Sequence, residues 1–223
     1  TSTFCRAEAI VTHLPFLAAP IAAAGPAQEL AWLLIAIPLA SAGLLLLAGK
    51  VSDAWGHWVA VLASTASGVL GFWLLFDLLA LPSAERVRNL DLGTWFDAGT
   101  FQLNAGLRLD PLSVTFVLLV TFVGTLIHIY AVAYMAEDTD RRRFFAYLNL
   151  FIAAMLTLVL ANSYLLLFFG WEGVGLASYL LIGFWNQDRA NAVAAKKAFI
   201  MNRVGDLGLL IAMFVMFDVF GAI

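Results

Sequence analysis

Charged residues are scarce in this chain, and long apolar runs separate the few that occur. They make up 12% of the 223 residues, about half the share of an average soluble domain, while hydrophobic residues make up 63%. Mean hydropathy is +0.93. The net charge of −3 leaves no basic face for nucleic acid, so we expect no nucleic-acid partner. This composition is typical of a membrane protein.

Cysteine is almost missing as well, since Cys5 is the only one in the sequence. A single cysteine makes no disulfide within the chain, and no Cys/His cluster with the spacing of metal ligands occurs along it. We therefore expect neither a metal ion nor a redox cofactor to be held by this chain itself.

Six apolar stretches are each long enough to cross the roughly 30 Å hydrocarbon core as a helix. They are residues 30–48, 55–81, 112–135, 144–160, 164–184 and 192–220. These stretches predict an all-α polytopic membrane protein. Asp110-Pro111 is a typical helix start before the third stretch. The short link over residues 161–163 predicts that the fourth and fifth helices are antiparallel neighbours.

Two segments differ in kind from the predicted spans. Residues 88–110 alternate apolar and polar side chains around Asp97-Ala98-Gly99, within the 82–110 connection between helices 2 and 3. This pattern predicts a short β-hairpin on the outer membrane face, with an irregular loop as the alternative. Residues 1–29 are rich in alanine and interrupted by prolines, which predicts a flexible N-terminal extension to which we assign no function.

Lysine and arginine are unevenly distributed between the short loops. Seven of them fall on one side of the predicted bundle and four on the other: Lys50, Arg141, Arg142, Arg143, Arg189, Lys196 and Lys197 against Arg6, Arg86, Arg88 and Arg108. The positive-inside rule places the first group in the cytoplasm. Both chain ends are then expected on the outer side.

One carboxylic acid, Glu172, lies in the middle of the fifth apolar stretch. A charge at that depth costs about 2.5–3.5 kcal/mol on insertion scales, so a tolerated acid has a partner, a water-filled cavity or a proton. Gly175 and Tyr179 share its helix face, which offers space and a hydroxyl group beside the carboxyl group. The functional interpretation is a proton-handling acid, and the alternative is a structural acid in a permanent ion pair.

The sixth helix carries Lys196, Arg203 and Asp206 on one face. Arg203 and Asp206 are expected to pair, either as a closed structural pair or as a link in a proton path. Lys196 is either a relay or an anchor at the membrane interface. His128 in the third helix is expected to be tied to a backbone carbonyl, although histidine also suits a proton relay. Because no helix offers two carboxylates together for a cation cage, proton transfer is favoured over metal-ion coordination.

Four segments of the chain carry a family resemblance: LDPLSVTF (109–116), LIHIYAVAYM (126–135), RFFAYLNLFIAAMLTLVLANSYLLLFFGWEGVGLASYLLIGF (143–184) and NRVGDLGLL (202–210). Together they resemble the N-terminal portion of the NuoL-type (NADH dehydrogenase subunit 5-like) antiporter-like membrane subunit of respiratory complex I. The combination of WEGVG with NRVGD is the specific part of the match. The related large subunit of multisubunit Na⁺/H⁺ antiporters shares the WE pair, but its sequence after that pair is less similar.

The resemblance implies roles for single residues. Glu172 matches the acid on the family's fifth helix, which pairs with a lysine on a seventh helix that would follow Ile223. Asp206 and Arg203 match the motif associated with the proton path, and His128 matches a histidine on the third helix. We take Glu172, Asp206 and Arg203 as candidate proton-translocation residues. The candidate relay residues are His128, Lys196 and Tyr179.

The resemblance also implies an organisation and a setting. Residues 1–29 would be an extension, residues 30–140 the three initial helices with their hairpin, and residues 141–223 helices 4–6 at the start of the translocation module. The chain would be a subunit of a proton-translocating NADH:quinone oxidoreductase and would carry out no redox chemistry itself. NADH, FMN, Fe–S clusters and quinone would be held by other subunits.

The expected partners are other membrane subunits of complex I, above all a neighbouring antiporter-like subunit, together with lipids and protons. The expected location is a bacterial plasma membrane, or the mitochondrial inner membrane in a eukaryote. Two alternatives stay open: a component of a multisubunit Na⁺/H⁺ antiporter, and a structural helical bundle without transport activity.

Overall fold

Helices and one β-hairpin make up the fold, in a computed structural model that describes residues 26–98 and 101–220. The helices are α1 (Pro26–Glu29), α2 (Leu33–Leu47), α3 (Gly56–Leu79), α4 (Pro111–Tyr134), α5 (Arg141–Leu160), α6 (Tyr164–Ile182) and α7 (Arg189–Phe220). Strands β1 (Arg88–Ala98) and β2 (Phe101–Leu109) pair antiparallel between α3 and α4. Short 3₁₀ segments follow α2 and α3, at Gly49–Ser52 and Ser83–Glu85.

Five of the six predicted spans are confirmed as helices long and apolar enough to cross a membrane. Among the described residues they are Pro26–Leu47, Gly56–Leu79, Pro111–Tyr134, Arg141–Leu160 and Tyr164–Ile182. The sixth predicted span is present as α7, a helix of 32 residues that is not among these five. It carries six charged side chains: Arg189, Lys196, Lys197, Arg203, Asp206 and Asp218. Its passage through a membrane stays a prediction.

The first helical segment begins at Pro26, earlier than the expected start at residue 30. Proline suits the first turn of a helix because its missing N–H would have no partner there. Ala27 is fully buried, so this turn packs against the bundle. Residues 26–29 therefore form a helical turn of the bundle, while the flexibility of the N-terminal extension stays a prediction. Residues 1–25 lie outside the described part of the chain.

The predicted start of α4 is confirmed in atomic detail. The carboxylate of Asp110 accepts a hydrogen bond from the backbone N–H of Ser113 at 2.7 Å, and the hydroxyl of Ser113 accepts one from the N–H of Asp110 at 2.8 Å. This reciprocal pair is a capping box, and Pro111 occupies the first turn. Asp110 therefore has the capping role that the sequence indicated.

Two apolar clusters fill the bundle, one at each end. The cluster at the hairpin end contains Leu34, Leu74, Leu78, Leu107, Leu109, Val114, Val117, Leu156 and Leu160 among its buried members. The cluster at the opposite end contains Leu45, Ala60, Val61, Ala131, Met135, Phe145, Ala146 and Phe184. Buried polar side chains lie along the helices between them, among them Ser41, Ser64, His128 and Asn149. The bundle therefore has an apolar core at each end and a polar level between them.

Helices α5 and α6 approach each other closely, as the short link between them predicted. A Cβ added at Gly170 would lie 2.5 Å from the backbone nitrogen of Leu158. A Cβ at Gly173 would lie 2.9 Å from the Cβ of Ala154. Small residues let helix backbones come together in a membrane, where apolar side chains gain little from leaving lipid. The two glycines therefore set the distance between α5 and α6.

The predicted β-hairpin is confirmed, with a register shift between Asp91 and Gly93. Gly93 has φ +119°, a conformation that suits glycine and fits a β-bulge at this shift. The hairpin is attached to the α5–α6 link, since Gly106 N donates to Asn162 Oδ1 at 3.1 Å and Asn162 N donates to Gly106 O at 3.2 Å. Residues 99 and 100 of the turn lie outside the described residues.

The loops that the charge count placed on one side do share one end of the bundle. Arg142 pairs with Asp53 at 3.0 Å and donates to the carbonyl of Leu45 at 2.7 Å. The indole N–H of Trp185 donates to Asp138 at 2.8 Å. These contacts join the α2–α3, α4–α5 and α6–α7 loops at the end opposite the hairpin. That this end faces the cytoplasm stays a prediction.

Candidate functional site

Glu172 lies at the middle of α6, where the sequence placed it. It is the ninth of the 19 residues of that helix. Its carboxylate forms an ion pair with the guanidinium group of Arg203 on α7. The side chain of Glu172 keeps 27% of its surface exposed, and this surface faces a cleft at mid-helix, far from either helix end. The deep acid therefore has a cationic partner on the neighbouring helix.

Arg203 contacts a second carboxylate as well. Its Nε lies 3.0 Å from Oδ2 of Asp206, one turn further along α7. The predicted Arg203–Asp206 pair is therefore present, and it is not closed, because the same guanidinium group also reaches Glu172. We call Glu172, Arg203 and Asp206 the ionic cluster. Asp206 is its most buried member, with 5% of its side chain exposed.

Two aromatic residues that sequence reasoning gave no role hold the ionic cluster in place. The indole N–H of Trp171 donates a hydrogen bond to Oδ1 of Asp206 at 2.7 Å. The guanidinium carbon of Arg203 lies 4.6 Å from the ring centroid of Phe199, within the range of a cation–π interaction. Phe199 is one helical turn before Arg203, which is the spacing that puts both on one helix face. Trp171 is next to Glu172 in sequence. Helix α6 therefore contacts Arg203 through Glu172 and Asp206 through Trp171.

Gly175 makes room for the guanidinium group. A Cβ at this position would lie 3.1 Å from Nη2 of Arg203, closer than an ordinary van der Waals contact. The sequence indicated free space beside the carboxyl group of Glu172, and the structure shows that this space holds Arg203. The glycine is therefore part of the geometry that lets α7 deliver a cation to α6.

The ionic cluster has an uneven charge balance. Two carboxylates and one guanidinium group sum to one negative charge when all three are ionised. At 4 Å and an effective dielectric of about 20, each opposite-charge contact is worth about 4 kcal/mol before desolvation costs are subtracted. One added proton, or one further cation, makes the cluster neutral.

A cleft of about 470 Å³ adjoins the ionic cluster. Its walls come from α2, α5, α6 and α7, and Glu172 and Arg203 are the charged residues among mostly apolar side chains. An open cleft at this position leaves room for water or for a further cationic side chain beside Glu172.

The other predicted relay residues are not part of the cluster. His128 is fully buried on α4, and its Nδ1 lies 2.8 Å from the carbonyl of Gly124, which confirms the expected tie to the backbone. Tyr179 and Lys196 line a separate cleft of about 320 Å³ between α5, α6 and α7. The structure therefore brings together Glu172, Arg203 and Asp206, and it places the other three candidates elsewhere.

Comparison with protein families gives two matches. A family model described as NADH-ubiquinone oxidoreductase (complex I), chain 5 N-terminus, matches residues 95–145. A model described as NADH:quinone oxidoreductase/Mrp antiporter, TM, matches residues 161–223, which include every residue of the ionic cluster.

Curated relatives agree with these models. NADH-quinone oxidoreductase subunit L of Mycobacterium tuberculosis is 56% identical over 192 residues, which cover 86% of this chain and 30% of that protein. Subunit L of Escherichia coli is 49% identical over 141 residues, or 63% of this chain and 23% of the relative. F(420)H(2) dehydrogenase subunit L of Methanosarcina mazei is 42% identical over 189 residues, which cover 85% of this chain and 27% of that protein. The chain thus spans about a third or less of the length of these relatives.

Solved structures share the fold. The Mrp complex from Dietzia sp. contains a chain with a TM-score of 0.70 and 25% identity, covering 86% of this chain and 20% of that one. A chain of the archaeal membrane-bound sulfane sulfur reductase matches with a TM-score of 0.69 and 17% identity, covering 87% of this chain and 38% of that one. The second likeness concerns the fold alone.

Proposed function

Because the chain belongs to the NuoL-type family of antiporter-like membrane subunits, of which it matches the N-terminal portion, we propose that it takes part in proton translocation by an NADH:quinone oxidoreductase. In this proposal NADH oxidation and quinone reduction occur in other subunits, which hold FMN and the Fe–S clusters. This chain supplies part of a half-channel that carries a proton to the middle of the membrane.

The observation that carries the proposal is the sharing of Arg203 between Glu172 and Asp206 in a cleft. A carboxylate in a poorly solvated site stays ionised while a cation is next to it, and takes up a proton when the cation withdraws. Arg203 has a second carboxylate within reach, so it can leave Glu172 without becoming an unpaired buried charge. The cluster therefore offers two arrangements that differ in whether Glu172 holds a proton.

The proton balance of this step is simple. With Arg203 on Glu172, both carboxylates are ionised and the cluster has one negative charge. When a proton binds to Glu172, the guanidinium group pairs with Asp206 alone and the cluster is neutral. A cation that approaches Glu172 through the cleft favours release of that proton. The family's lysine on the next helix would be such a cation.

We place the chain in a bacterial plasma membrane as a multi-pass protein, with its hairpin and both ends on the outer side. Its partners would be other membrane subunits of the complex, and a neighbouring antiporter-like subunit in particular. The relatives named as oxidoreductase subunits and the apolar length of five described helices support this setting.

A second candidate function is supported by the likeness to a chain of the Mrp complex. In that case the cluster would exchange protons against sodium ions without NADH. Inverted membrane vesicles that contain the full-length subunit in its complex distinguish the two functions. We expect NADH to drive proton uptake into the vesicles in the absence of sodium. Sodium-dependent proton exchange without NADH would contradict the proposal and support the alternative.

A purely structural bundle is the remaining alternative. It requires that neutral side chains of similar shape serve as well as charged ones. The triple variant Glu172→Gln, Arg203→Gln, Asp206→Asn removes all three charges. The changes at Glu172 and Asp206 keep the size of the side chain, and the change at Arg203 shortens it. We expect this variant to assemble and to translocate far fewer protons per NADH. An unchanged ratio in the assembled complex would favour the structural bundle.

A further inference from the structure

A second buried polar site lies between α4 and α5, apart from the ionic cluster. It consists of His128 and Asn149, both with 0% of their surface exposed. Asn149 lies on α5 between Phe145, whose ring centroid is 5.9 Å from that of the imidazole ring, and Ile152, whose side chain packs against Gly124 one turn before His128. Because residues 145, 149 and 152 share one helix face, the amide group of Asn149 lies on the side of α5 that faces the imidazole ring. The two residues sit at the level of buried polar side chains between the two apolar cores. Buried polar atoms at such a position need hydrogen-bond partners, since an unsatisfied one costs about 1–3 kcal/mol.

The hydrogen bond to Gly124 fixes the state of the imidazole ring. A carbonyl oxygen only accepts, so Nδ1 of His128 must carry the hydrogen in the 2.8 Å contact with Gly124. In a neutral ring Nε2 is then a bare acceptor. Within the described part of the chain, no donor reaches this atom.

The orientation of the Asn149 amide group is fixed by its other neighbours. Its Nδ2 lies 2.9 Å from Oγ of Ser41 and 3.4 Å from the carbonyl oxygen of Ala60. The reversed amide would put two acceptor oxygens, Oδ1 and the Ala60 carbonyl, against each other. Oδ1 therefore takes the remaining position, where it too finds no donor among residues 26–98 and 101–220.

Two buried acceptors thus lie on neighbouring side chains, and one hydrogen donor between them would satisfy both. A water molecule has two hydrogens and can donate one to each acceptor. A proton on Nε2 has the same effect, because the N–H of the imidazolium ring donates directly to Oδ1. We propose that His128 and Asn149 form an internal site for a single hydrogen donor, filled by one water molecule when the ring is neutral and by a proton when it is charged.

The surroundings of the site decide which charges act on it. From α3, His57 packs on the Phe145 ring that His128 also contacts, with ring centroids 6.2 and 5.9 Å away. From α5, Arg142 is held by Asp53. From α6, Glu172 borders the cleft that Ala153 also lines, one helical turn from Asn149. Helix α2 contributes Ser41 and has no titratable side chain in its sequence.

This inference does not rest on the proposed function, because it follows from hydrogen-bond geometry alone. The test is a cryo-electron-microscopy map of the full-length subunit in its complex, at a resolution that shows ordered water, recorded at mildly alkaline and at acidic pH. At alkaline pH we expect one water peak about 2.7–3.2 Å from both Nε2 and Oδ1. At acidic pH we expect the water peak to be replaced by a direct Nε2–Oδ1 contact within that range, and a water peak that stays unchanged at acidic pH would contradict the proton-filled state.

Two variants sharpen the test. His128→Phe removes one acceptor and should abolish the water peak. Thr121→Val is the matched control, since the buried Thr121 hydroxyl donates to Val117 within its own helix at 2.8 Å, and it should keep the peak. An empty gap between the two wild-type side chains at alkaline pH would overturn the proposal. That result can be read from the wild-type map even if the His128 variant does not fold.

Discussion

At the residue scale, the central feature is one guanidinium group shared by two carboxylates. The sequence predicted the depth of Glu172 and the pairing of Arg203 with Asp206, because both follow from position along a single helix. It did not predict that Arg203 reaches Glu172, because that contact depends on how close α6 and α7 pack. The family resemblance pointed to a lysine beyond Ile223, whereas Arg203 is the ionic partner within the described residues.

The close packing of Gly175 against the guanidinium group of Arg203 can be tested by substitution. In Gly175→Ala the added Cβ meets Nη2 of Arg203 at 3.1 Å, so the guanidinium group must shift by a few tenths of an ångström relative to Glu172. We expect the rate of proton translocation by the full-length complex to fall on the order of tenfold, which corresponds to about 1.4 kcal/mol. Gly43→Ala is the control, because nothing lies within 4 Å of a Cβ there. Equal rates for both variants would contradict this assignment.

The hydrogen bond from Trp171 to the buried carboxylate of Asp206 can be tested by substitution. Trp171→Phe keeps a large ring and removes the N–H that donates to Oδ1. A hydrogen bond to a charged group contributes about 1.5–3 kcal/mol, so we expect faster thermal inactivation of the purified complex and slower proton translocation. Trp185→Phe removes a similar bond, to Asp138 in an exposed loop, and should have little effect. If the two variants inactivate at the same rate, the bond to Asp206 has no special role.

At the element scale, the helices and the hairpin followed from sequence because their signals are local. Asp110 and Pro111 marked the start of α4, and alternation of apolar and polar residues marked β1 and β2. What sequence could not predict is the attachment of the hairpin to the α5–α6 link through Gly106 and Asn162. Such a contact joins segments 56 residues apart and has no periodic signal.

Gly106 tests this attachment. A Cβ at Gly106 would contact the amide group of Asn162 and lie 2.9 Å from the carbonyl oxygen of Leu90. Because that backbone cannot move freely, Gly106→Ala should strain the hairpin by about 1–3 kcal/mol. We expect faster proteolysis of the hairpin in intact membranes than in Asn104→Ala, which alters an exposed residue of the same strand. Equal cleavage rates would show that the hairpin is held by other contacts.

At the scale of the whole molecule, the described bundle has two apolar ends and a polar level between them. The ionic cluster lies at mid-height on α6 and α7, and the His128–Asn149 site lies across α5 from the same cleft. The sequence predicted the membrane class and the number of long helices, since both depend on composition and length. It could not predict which buried polar residues meet, because that is decided by helix rotation and packing. Ser41 and Asn149 are 108 residues apart, for example, and are joined by a hydrogen bond.

The most direct measurement is the number of protons translocated per NADH oxidised by a reconstituted complex whose full-length subunit carries Glu172→Gln. This change removes the charge of Glu172 and keeps its size, so assembly should persist while the proposed proton acceptor is lost. Glu137→Gln makes the same chemical change at an exposed turn and serves as the control. We predict a clear fall in this ratio for Glu172→Gln alone. A fully assembled complex with the same ratio as the wild type would contradict the role of the ionic cluster in proton translocation.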